Sequence, residues 1–549
     1  MCSEASFMKS GFGIYANQIL SRLHKTGKYE IAEFASYGFT NDPRDVDIHW
    51  AYYANAVRDN DARAKEYGSR PDNQFGRWRF EKVLIDFKPD VVIDVRDYWM
   101  TAYQGVSPLR QYFHWILMPT VDSAPQQEDW IDTFLSADAI FTYSDWGAEV
   151  LKKQSSNKIN YIDTTSPGVD LESFKILDQK TIRQKYNIPQ DAIVFGSVMR
   201  NQKRKLFPEI CVSFRKLLDR LEVEDPELGK NIYWHFHTSY PDMGWDIPEL
   251  LKDNRLANRI LFTYCCKNCK NVESSIFNGP QKICSKCLQK SSTFPSVSDG
   301  VSSSTLGEIY NLFDLYVQYA ICEGFGMPQV EAGACGIPIA TVDYSAMCDI
   351  VKKLEAYPIK IAAYFKELET KAIRVYPDND DLVEYLIKFI SLPKPIRDRK
   401  RIDIRKLTET HYNWDHISAK WEKYLDQLDA SGYRSNWVPI SYLPTFDANK
   451  IDYKNIPQAN HFDFMLSLCS NSLKNMNRIQ SMELLNMLRD FDYGFSVASP
   501  TQIKGFSTQQ IMDHIQTLVH NHNESQKAIH HNIKIDEDFI SYARMKAST

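Results

Sequence analysis

Two glutamates flank a tight loop in this chain, and their spacing suits the binding of an anionic ligand rich in hydroxyls. In the segment EGFGMPQVE, Glu323 ends a β-rich run, and Glu331 falls about one turn inside the helix that Pro328 begins. Gly324 and Gly326 allow the tight loop, whose amides and helix N-terminus offer donors to an anion. Each carboxylate can accept two hydrogen bonds from a ribose diol or a sugar. Taken alone, the spacing also fits a strand, a turn and a surface helix.

A cluster of cations forms the second motif, SVMRNQKRK. Arg200, Lys203, Arg204 and Lys205 follow a predicted strand and precede a helix with apolar periodicity. Cations at this position suit a diphosphate leaving group, because they stabilise the negative charge that develops as it departs. A solvated helix start has the same composition. Both motifs follow apolar runs, and ligands of open α/β sheets bind at the carboxyl ends of the strands.

Four cysteines form two C-x2-C pairs, Cys266 with Cys269 and Cys284 with Cys287, separated by fourteen residues. This spacing predicts a closed, structural Zn²⁺ site with four thiolate ligands, and Cys265 is the spare cysteine. The segment interrupts an α/β unit between RILFTY and LGEIYNLF. We therefore expect a zinc ribbon over residues 264–300 that projects from the rim of a cleft. It would stabilise the insertion, or it would contact an acceptor or a partner.

The elements that position these motifs follow an α/β rhythm, which predicts two doubly wound units in tandem that face a cleft. The first, residues 1–174, contains the apolar runs PDVVIDV, YFHWILMP, ADAIFTYS and NKINYIDTTSPGVD. The second, residues 175–428, contains AIVFGSV, NIYWHFHT, RILFTY, DLYVQYA and GIPIATVD, and it ends in closing helices. Only MCSEASFM precedes the first glycine loop, so the first strand is either a short edge strand or begins upstream.

Residues 429–549 differ in character and predict a linker followed by a mainly α-helical appendage, which offers a contact for a partner or a second copy. Its four histidines lack the convergent spacing of a metal site and favour a solvated helix face; they are His514, His520, His530 and His531.

The composition restricts the classes of protein to which the chain can belong. The 549 residues are 43% hydrophobic and 25% charged, which is typical of a folded chain, and the net charge of -5 provides no overall field for polyanions. No apolar run reaches the roughly 18 residues needed to cross a bilayer, and the first residues lack the layout of a signal peptide. We therefore expect a cytoplasmic protein with no transmembrane segment.

From about Ser10 to Leu428, a series of motifs in matching order resembles the family 4 (group 1) glycosyltransferases. The motifs are SGFGIYANQIL, VDSAP, YSDWGAEVL, SPGVD, RNQKRK, HFHTSYPDMGWDIPEL and EGFGMPQVE. The family consists of retaining enzymes with nucleotide-sugar donors. The resemblance implies a GT-B fold, in which two Rossmann-like domains face each other across a cleft, with the acceptor on the side of the first.

The resemblance also implies roles for individual residues. Arg200 and Lys205 match the family's cations on the donor diphosphate, Glu331 matches the acid on the nucleotide ribose, and Glu323 matches the catalytic acid that contacts the transferred sugar. The glycine loops at both domains complete the expected donor site; they contribute Gly11, Gly13, Gly324, Phe325 and Gly326.

On the acceptor side, many members carry a histidine near the reacting carbon. Here MPTVDSAP offers Asp122, a second catalytic candidate, whereas His114 fits a core position. In this family Arg and Lys neutralise the diphosphate without a catalytic metal. The leaving phosphate helps to deprotonate the acceptor on the face from which the sugar departs.

Three alternatives remain beside this interpretation. A phage-type glycosyltransferase acting on modified DNA bases would use the ribbon and the basic run from Arg200 to Arg220, although the net charge is acidic. A catalytically inactive GT-B-like binding or scaffold module has no need for the complete donor set. A nicotinamide-dependent enzyme would fit Gly11, Gly13 and Glu33, but its fingerprint should follow a full strand.

Overall fold

The computed structural model describes residues 1–107, 109–296, 300–431 and 537–548, together with positions 433, 450, 513, 516, 517 and 520. Two Rossmann-like domains, each built on a parallel sheet, account for most of these residues. Among the described residues, no helix is both long and apolar enough to span a membrane.

The first domain is a seven-stranded parallel sheet in the order β3-β2-β1-β4-β5-β6-β7. Its strands are β1 (Cys2–Glu4), β2 (Ala32–Phe39), β3 (Ala51–Ala56), β4 (Val91–Asp94), β5 (His114–Leu117), β6 (Ala139–Thr142) and β7 (Tyr161–Thr164). The strands β5 and β6 are buried at every residue, because helices cover both faces of the sheet. The expectation of a first strand at the sheet edge is wrong: β1 is short, but it pairs with β2 on one side and with β4 on the other.

The second domain has a nine-stranded sheet whose central part is parallel, in the order β10-β9-β8-β14-β15-β16. Its strands are β8 (Ile193–Val198), β9 (Ile232–His237), β10 (Ile260–Cys266), β11 (Val272–Ile276), β12 (Gln281–Ile283), β13 (Lys290–Thr293), β14 (Leu315–Gln318), β15 (Ile339–Val342) and β16 (Tyr357–Ile359). The antiparallel strands β11, β12 and β13 extend β10 into the predicted ribbon. A separate hairpin, β17 (Ile361–Lys366) and β18 (Ile373–Pro377), follows the last parallel strand.

Helices cover the two sheets and connect their strands. In chain order they are α1 (Gly11–Lys25), α2 (Ala64–Tyr67), α3 (Phe80–Phe87), α4 (Tyr98–Gly105), α5 (Glu128–Ser136), α6 (Asp145–Gln154), α7 (Gln179–Lys185), α8 (Phe207–Glu224), α9 (Pro226–Lys230), α10 (Ile247–Asp253), α11 (Ser303–Tyr310), α12 (Met327–Ala334), α13 (Met347–Leu354), α14 (Asn379–Ile390), α15 (Lys394–His411), α16 (Trp414–Gln427) and α17 (Glu537–Ala547). Single turns of 3-10 helix lie at Pro71–Phe75 and Arg110–Tyr112.

The helix α16 returns from the second domain and packs on the first. The ring of Trp421 stacks on Phe141 with 4.1 Å between centroids, and its Nε1 donates to Tyr15 Oη at 2.7 Å. Its exposed side is tied to α1 by ion pairs such as Arg22 with Asp415 at 2.8 Å. The aromatic residues at helical spacing in this segment are therefore core residues.

Of the expected C-terminal appendage, the structure describes α17, which packs on β3 at the edge of the first sheet. The ring of Phe539 lies 5.5 Å from that of Tyr53, and Lys546 Nζ is 3.0 Å from Asp45 Oδ1. The predicted linker and most of the remaining appendage, including His514, His530 and His531, lie outside the described residues.

Candidate functional site between the two domains

The carboxylate of Glu323 follows the carboxyl end of β14 and is held by three side-chain donors. Arg204 Nη1 donates to its Oε2 at 2.9 Å, and Gln318 Nε2 donates to its Oε1 at 2.7 Å. Lys205 Nζ also contacts Oε1, and the backbone N–H of Glu323 donates to Ser345 Oγ at 2.9 Å. Because only 4% of Glu323 is exposed, these donors replace water and fix the carboxylate in one position.

The loop between β8 and α8 supplies the cations, and it separates them into two groups. Burial and the neighbouring Arg204 lower the pKa of Lys205, whereas its contact with Glu323 favours the charged form. Arg200 instead has an exposed side chain and pairs with both carboxylate oxygens of Asp242, at 2.9 and 3.0 Å. This pairing lowers the pKa of Asp242 to about 2.

Two glycines are required where the loop after Glu323 crosses to the first domain. Gly326 has a φ of +92°, a left-handed conformation that strains any other residue. At Gly324, an added Cβ would lie 2.3 Å from Thr120 Cγ2 of the first domain. The two domains therefore approach each other here with no room for a side chain.

The other predicted glycine-loop residues differ in their surroundings. A Cβ on Gly13 would lie 2.5 Å from the carbonyl oxygen of Met8, so this position packs against backbone. A Cβ on Gly11 would lie 3.8 Å from Met327 Sδ on α12, which is an ordinary contact. Gly11 therefore faces the second domain. Phe325 is only 6% exposed and belongs to the hydrophobic core.

A cleft of about 730 Å³ lies between the domains and is lined by residues of both. Asn17, Arg44 and Asp47 line it from the first domain, and Arg200 and Glu331 line it from the second. Its walls include residues within two positions of the ends of β1, β8 and β9, so the cleft is at the carboxyl ends of both parallel sheets. Sites of this volume accommodate a small organic ligand.

Glu331 gives the cleft wall a carboxylate that titrates near neutrality. Burial raises its pKa to about 7, although Tyr310 Oη donates to its Oε2 at 2.7 Å and opposes the shift. His237 also lines the cleft, with its Nδ1 3.0 Å from Thr263 Oγ1. Because burial lowers the pKa of His237 to about 4, this side chain is neutral at physiological pH.

Asp122 is tied to the second domain by a buried arginine. Arg374 Nη1 donates to Asp122 Oδ1 at 3.0 Å, and Arg374 Nη2 donates to Glu367 Oε2 at 2.7 Å. Cys322 Sγ donates to Asp122 Oδ2 at 3.3 Å, immediately before Glu323 in the chain. The hairpin β17–β18 thus carries Arg374 to the point where the Asp122 loop meets the Glu323 loop.

Sequence reasoning missed two residues at this meeting point, Asp97 and Arg374, and it gave Arg204 no role of its own. Burial raises the pKa of Asp97 to about 6, with further charge effects from Asp122 and Arg204. Asp97 lies two residues after the predicted strand VVIDV, so the rule that ligands bind after strands would have found it. Arg204 is one of several adjacent cations, and the sequence does not show which of them reaches the site. Arg374 lies on a hairpin that the apolar pattern does not predict.

The four cysteines of the two C-x2-C pairs converge as predicted, with their ligand atoms all within 4.8 Å of one another. Cys266 Sγ lies 3.6 Å from Cys287 Sγ, and Cys269 Sγ lies 3.6 Å from Cys284 Sγ. Four sulfurs around a tetrahedral Zn²⁺ with bonds of about 2.3 Å would be separated by about 3.8 Å. Backbone N–H groups of Cys269 and Lys286 also donate to sulfurs within the cluster, at 3.4 Å. The cluster therefore fits a metal ion of this kind.

Two Rossmann-like domains whose parallel sheets both end at one cleft define a GT-B fold, and comparisons with known proteins agree. Residues 296–406, which include the glutamate pair, match the family model described as glycosyl transferases group 1. The chain is 26% identical over 203 residues to a D-inositol 3-phosphate glycosyltransferase of Stackebrandtia nassauensis. That match covers 37% of this chain and 38% of the relative.

Solved structures show the same fold over a larger part of the chain. A sucrose-phosphate synthase from Thermosynechococcus elongatus is similar with a TM-score of 0.55 and 15% identity, covering 77% of this chain and 94% of that structure. WaaG, a glycosyltransferase involved in lipopolysaccharide biosynthesis, is similar with a TM-score of 0.51 and 11% identity, covering 76% and 97% respectively. At these identities, the two solved structures show that the chain shares the GT-B fold.

Proposed function

We propose that this chain transfers a sugar from a nucleotide-sugar donor, bound between its two domains, to an acceptor with retention of anomeric configuration. The observation that carries this proposal is the convergence of Lys205 and Arg204 on the buried carboxylate of Glu323. Arg200 and Glu331 lie on the wall of the interdomain cleft, as a donor with a diphosphate and a ribose requires. The match of residues 296–406 to the group 1 transferases supports the same conclusion.

In this proposal, the cations stabilise the departing diphosphate. Negative charge develops on the phosphoryl oxygens as the bond between the sugar carbon and the phosphate oxygen breaks. Cations that are already held in place stabilise this charge without reorganisation, and one such donor is worth about 10²–10³-fold in rate. Lys205 and Arg200 take this role by resemblance, and Arg204 joins them because of its position. With this set of cations, we propose that the transfer requires no catalytic metal.

In this proposal, Glu323 acts on the transferred sugar and Asp122 acts on the side of the acceptor. Glu323 accepts hydrogen bonds from the hydroxyls of the sugar and stabilises the positive charge that develops on its ring. The leaving phosphate takes the proton of the acceptor hydroxyl, and the acceptor oxygen bonds to the sugar carbon on the same face, so no protein nucleophile is needed. The ion pair with Arg374 fixes the orientation of Asp122 at the acceptor side.

For the cysteine cluster, we propose a structural Zn²⁺ held by Cys266, Cys269, Cys284 and Cys287. The ion would cross-link the two C-x2-C knuckles of an insertion that has few apolar residues of its own. Its four protein ligands leave no open position for substrate, which separates the metal from the chemical step.

The DNA-modifying alternative loses much of its support from the basic run between Arg200 and Arg220. Six of the seven cations in this run contact carboxylates, which neutralises most of its charge. An inactive binding module remains the principal alternative. It would have no physical need for the buried cluster of two cations around Glu323.

A calorimetric screen against UDP-, GDP-, ADP- and CMP-sugars tests the proposal. We expect saturable binding of one nucleotide series to the wild-type protein and loss of binding in Lys205→Ala. Lys216→Ala is the matched control, because this lysine is exposed and pairs with Asp380 on the surface. Thermal unfolding of each variant establishes that it is folded. If folded wild-type protein binds no sugar nucleotide of the panel, the result would favour the inactive binding module.

Once a donor is identified, the anomeric configuration of the product, measured by NMR spectroscopy, tests retention. An inverted product would refute the proposed same-face mechanism while leaving the donor site intact.

A further inference from the structure

The two cysteine knuckles, residues 266–270 and 284–288, have the same backbone geometry. In each, the residue after the second cysteine is left-handed with a φ of +58°, namely Lys270 and Leu288. The N–H of this residue donates at 3.0 Å to the carbonyl of the first cysteine, Cys266 or Cys284. We use the term ribbon tip for these two knuckles with the adjoining Ile283 and Lys290. Each turn of the ribbon tip is closed by a hydrogen bond within its own knuckle.

The ribbon tip presents aliphatic side chains to solvent. Leu288 is 77% exposed and Ile283 is 61% exposed, and both belong to the second knuckle or adjoin it. Ile283 is the cross-strand neighbour of Lys290 in the β12–β13 pair, so an aliphatic and a cationic side chain lie side by side. Single exposed aliphatic residues are common, but here one lies on the second knuckle and another directly precedes it, among lysines.

The same region is strongly basic in an acidic chain. Residues 264–293 contain five lysines and one acid, whereas the whole chain has a net charge of -5. That acid, Glu273, pairs with Lys282 at 3.4 Å. The other four lysines have no acidic partner among the described residues; they are Lys267, Lys270, Lys286 and Lys290. The N–H of Lys267 donates to the carbonyl of Ser291 at 2.9 Å, which ties the first knuckle to β13, the strand that carries Lys290.

We propose that the ribbon tip docks on an anionic phospholipid surface. Ile283 and Leu288 would enter the boundary between headgroups and acyl chains, and the four lysines would contact lipid phosphates. An interfacial segment of this type combines apolar burial with electrostatic attraction. The proposal goes beyond sugar transfer and does not depend on it.

The residue types at the tip favour a lipid surface over a nucleic acid or a protein. Residues 264–293 contain no arginine or tryptophan, and their aromatic residues are Tyr264 and Phe277, which pack with Phe294. Single-stranded nucleic acids are bound by stacking on aromatic side chains, and hot spots of protein interfaces are rich in Trp, Tyr and Arg. Lysine is a flexible point charge that needs no fixed geometry from its partner. A lipid surface presents mobile phosphates above hydrocarbon, and it therefore suits lysines that lie beside aliphatic side chains.

Sedimentation with vesicles tests the proposal on the full-length protein without donor or acceptor. We expect binding to phosphatidylcholine vesicles that contain phosphatidylglycerol, little binding to phosphatidylcholine alone, and weaker binding as salt rises. The double variants Ile283→Ser/Leu288→Ser and Lys286→Glu/Lys290→Glu should each lower the partition constant at least about tenfold. The matched control is Val223→Ser/Lys388→Glu, at exposed positions on α8 and α14. Zinc content and the thermal midpoint of each variant show whether the ribbon is intact.

The proposal is overturned if wild-type protein does not bind anionic vesicles. It is also overturned if both tip variants, with intact ribbons, bind these vesicles as well as wild type does. Salt-dependent binding to a DNA duplex, reduced by Lys286→Glu/Lys290→Glu in the absence of vesicle binding, would reassign the tip to nucleic acid. Each result leaves the sugar-nucleotide screen unaffected, so the two proposals fail separately.

Discussion

The affinity of the cleft for a sugar nucleotide should depend on pH through Glu331. The ionised carboxylate can accept both hydroxyls of a ribose, whereas the protonated carboxyl has fewer acceptor sites. Because burial raises the pKa of Glu331 to about 7, a proton must leave before donor binds at lower pH. Donor affinity should therefore fall as the pH falls through this value, and Glu331→Gln should abolish the dependence.

The expected magnitude follows from the pKa. With a value of about 7, Glu331 is ionised in about a tenth of the molecules at pH ~6 and in about nine tenths at pH ~8. Donor affinity should thus rise about tenfold between these conditions, which corresponds to about 1.4 kcal/mol of binding free energy. His237 does not contribute, because its pKa of about 4 keeps it neutral throughout this range.

Isothermal calorimetry over this pH range, with the sugar nucleotide identified in the screen, measures the effect. A sugar nucleotide is a suitable probe because its diphosphate is esterified at both ends and carries no proton near neutrality. Tyr310→Phe removes the hydrogen bond that lowers the pKa of Glu331, so the midpoint should move to higher pH. A wild-type affinity that is independent of pH would refute the reasoning, as would the same dependence in Glu331→Gln.

Four further outcomes are expected. Lys205→Met should lower the free energy of unfolding in urea by about 3–5 kcal/mol, because it leaves the buried glutamate with one cation fewer; an unchanged urea midpoint would contradict the buried pair. Gly326→Ala should cost about 1–2 kcal/mol in the same measurement, since its backbone is left-handed. Asp122→Asn and Arg374→Gln should show a coupling energy of about 1–3 kcal/mol in a double-mutant cycle, and simple additivity would argue against the interdomain tie. Cys284→Ser should reduce the zinc measured by atomic emission and lower the Tm, whereas equal zinc content would exclude the four-thiolate site.

Much of the fold could be predicted, because parallel strands that are buried on both faces appear in the sequence as continuous apolar runs. The strands β4 to β10 coincide with such runs, and so do β14 and β15. The strand β1 was harder to predict, because three residues are too few to show a pattern of apolar residues. Its central place in the sheet is evident only from its pairing with β2 and β4. The strand β2, AEFASYGF, was also harder to predict, because small and polar residues stand among its apolar ones.

The site could be predicted from the sequence only where its residues lie close together in the chain. The C-x2-C pairs are local patterns whose chemistry demands convergence, so the sequence placed all four thiols together. The partners of Glu323 come from three separate segments, and among the adjacent cations only the path of the loop selects Arg204 and Lys205. Arg374 reaches Asp122 across 252 positions of sequence by means of a hairpin. No local pattern contains such a contact.

Two sets of polar contacts link the first domain to the second beside the cleft. The amides of Asp145 and Trp146, at the N-terminus of α6, donate to the Asp349 carboxylate of α13 at 2.6 and 3.2 Å. Arg374 makes a second link between the domains through Asp122. Both links need the first domain in its present position against the second. Opening of the cleft would therefore separate Asp122 from Arg374, so the proposed acceptor side depends on the domains keeping this arrangement.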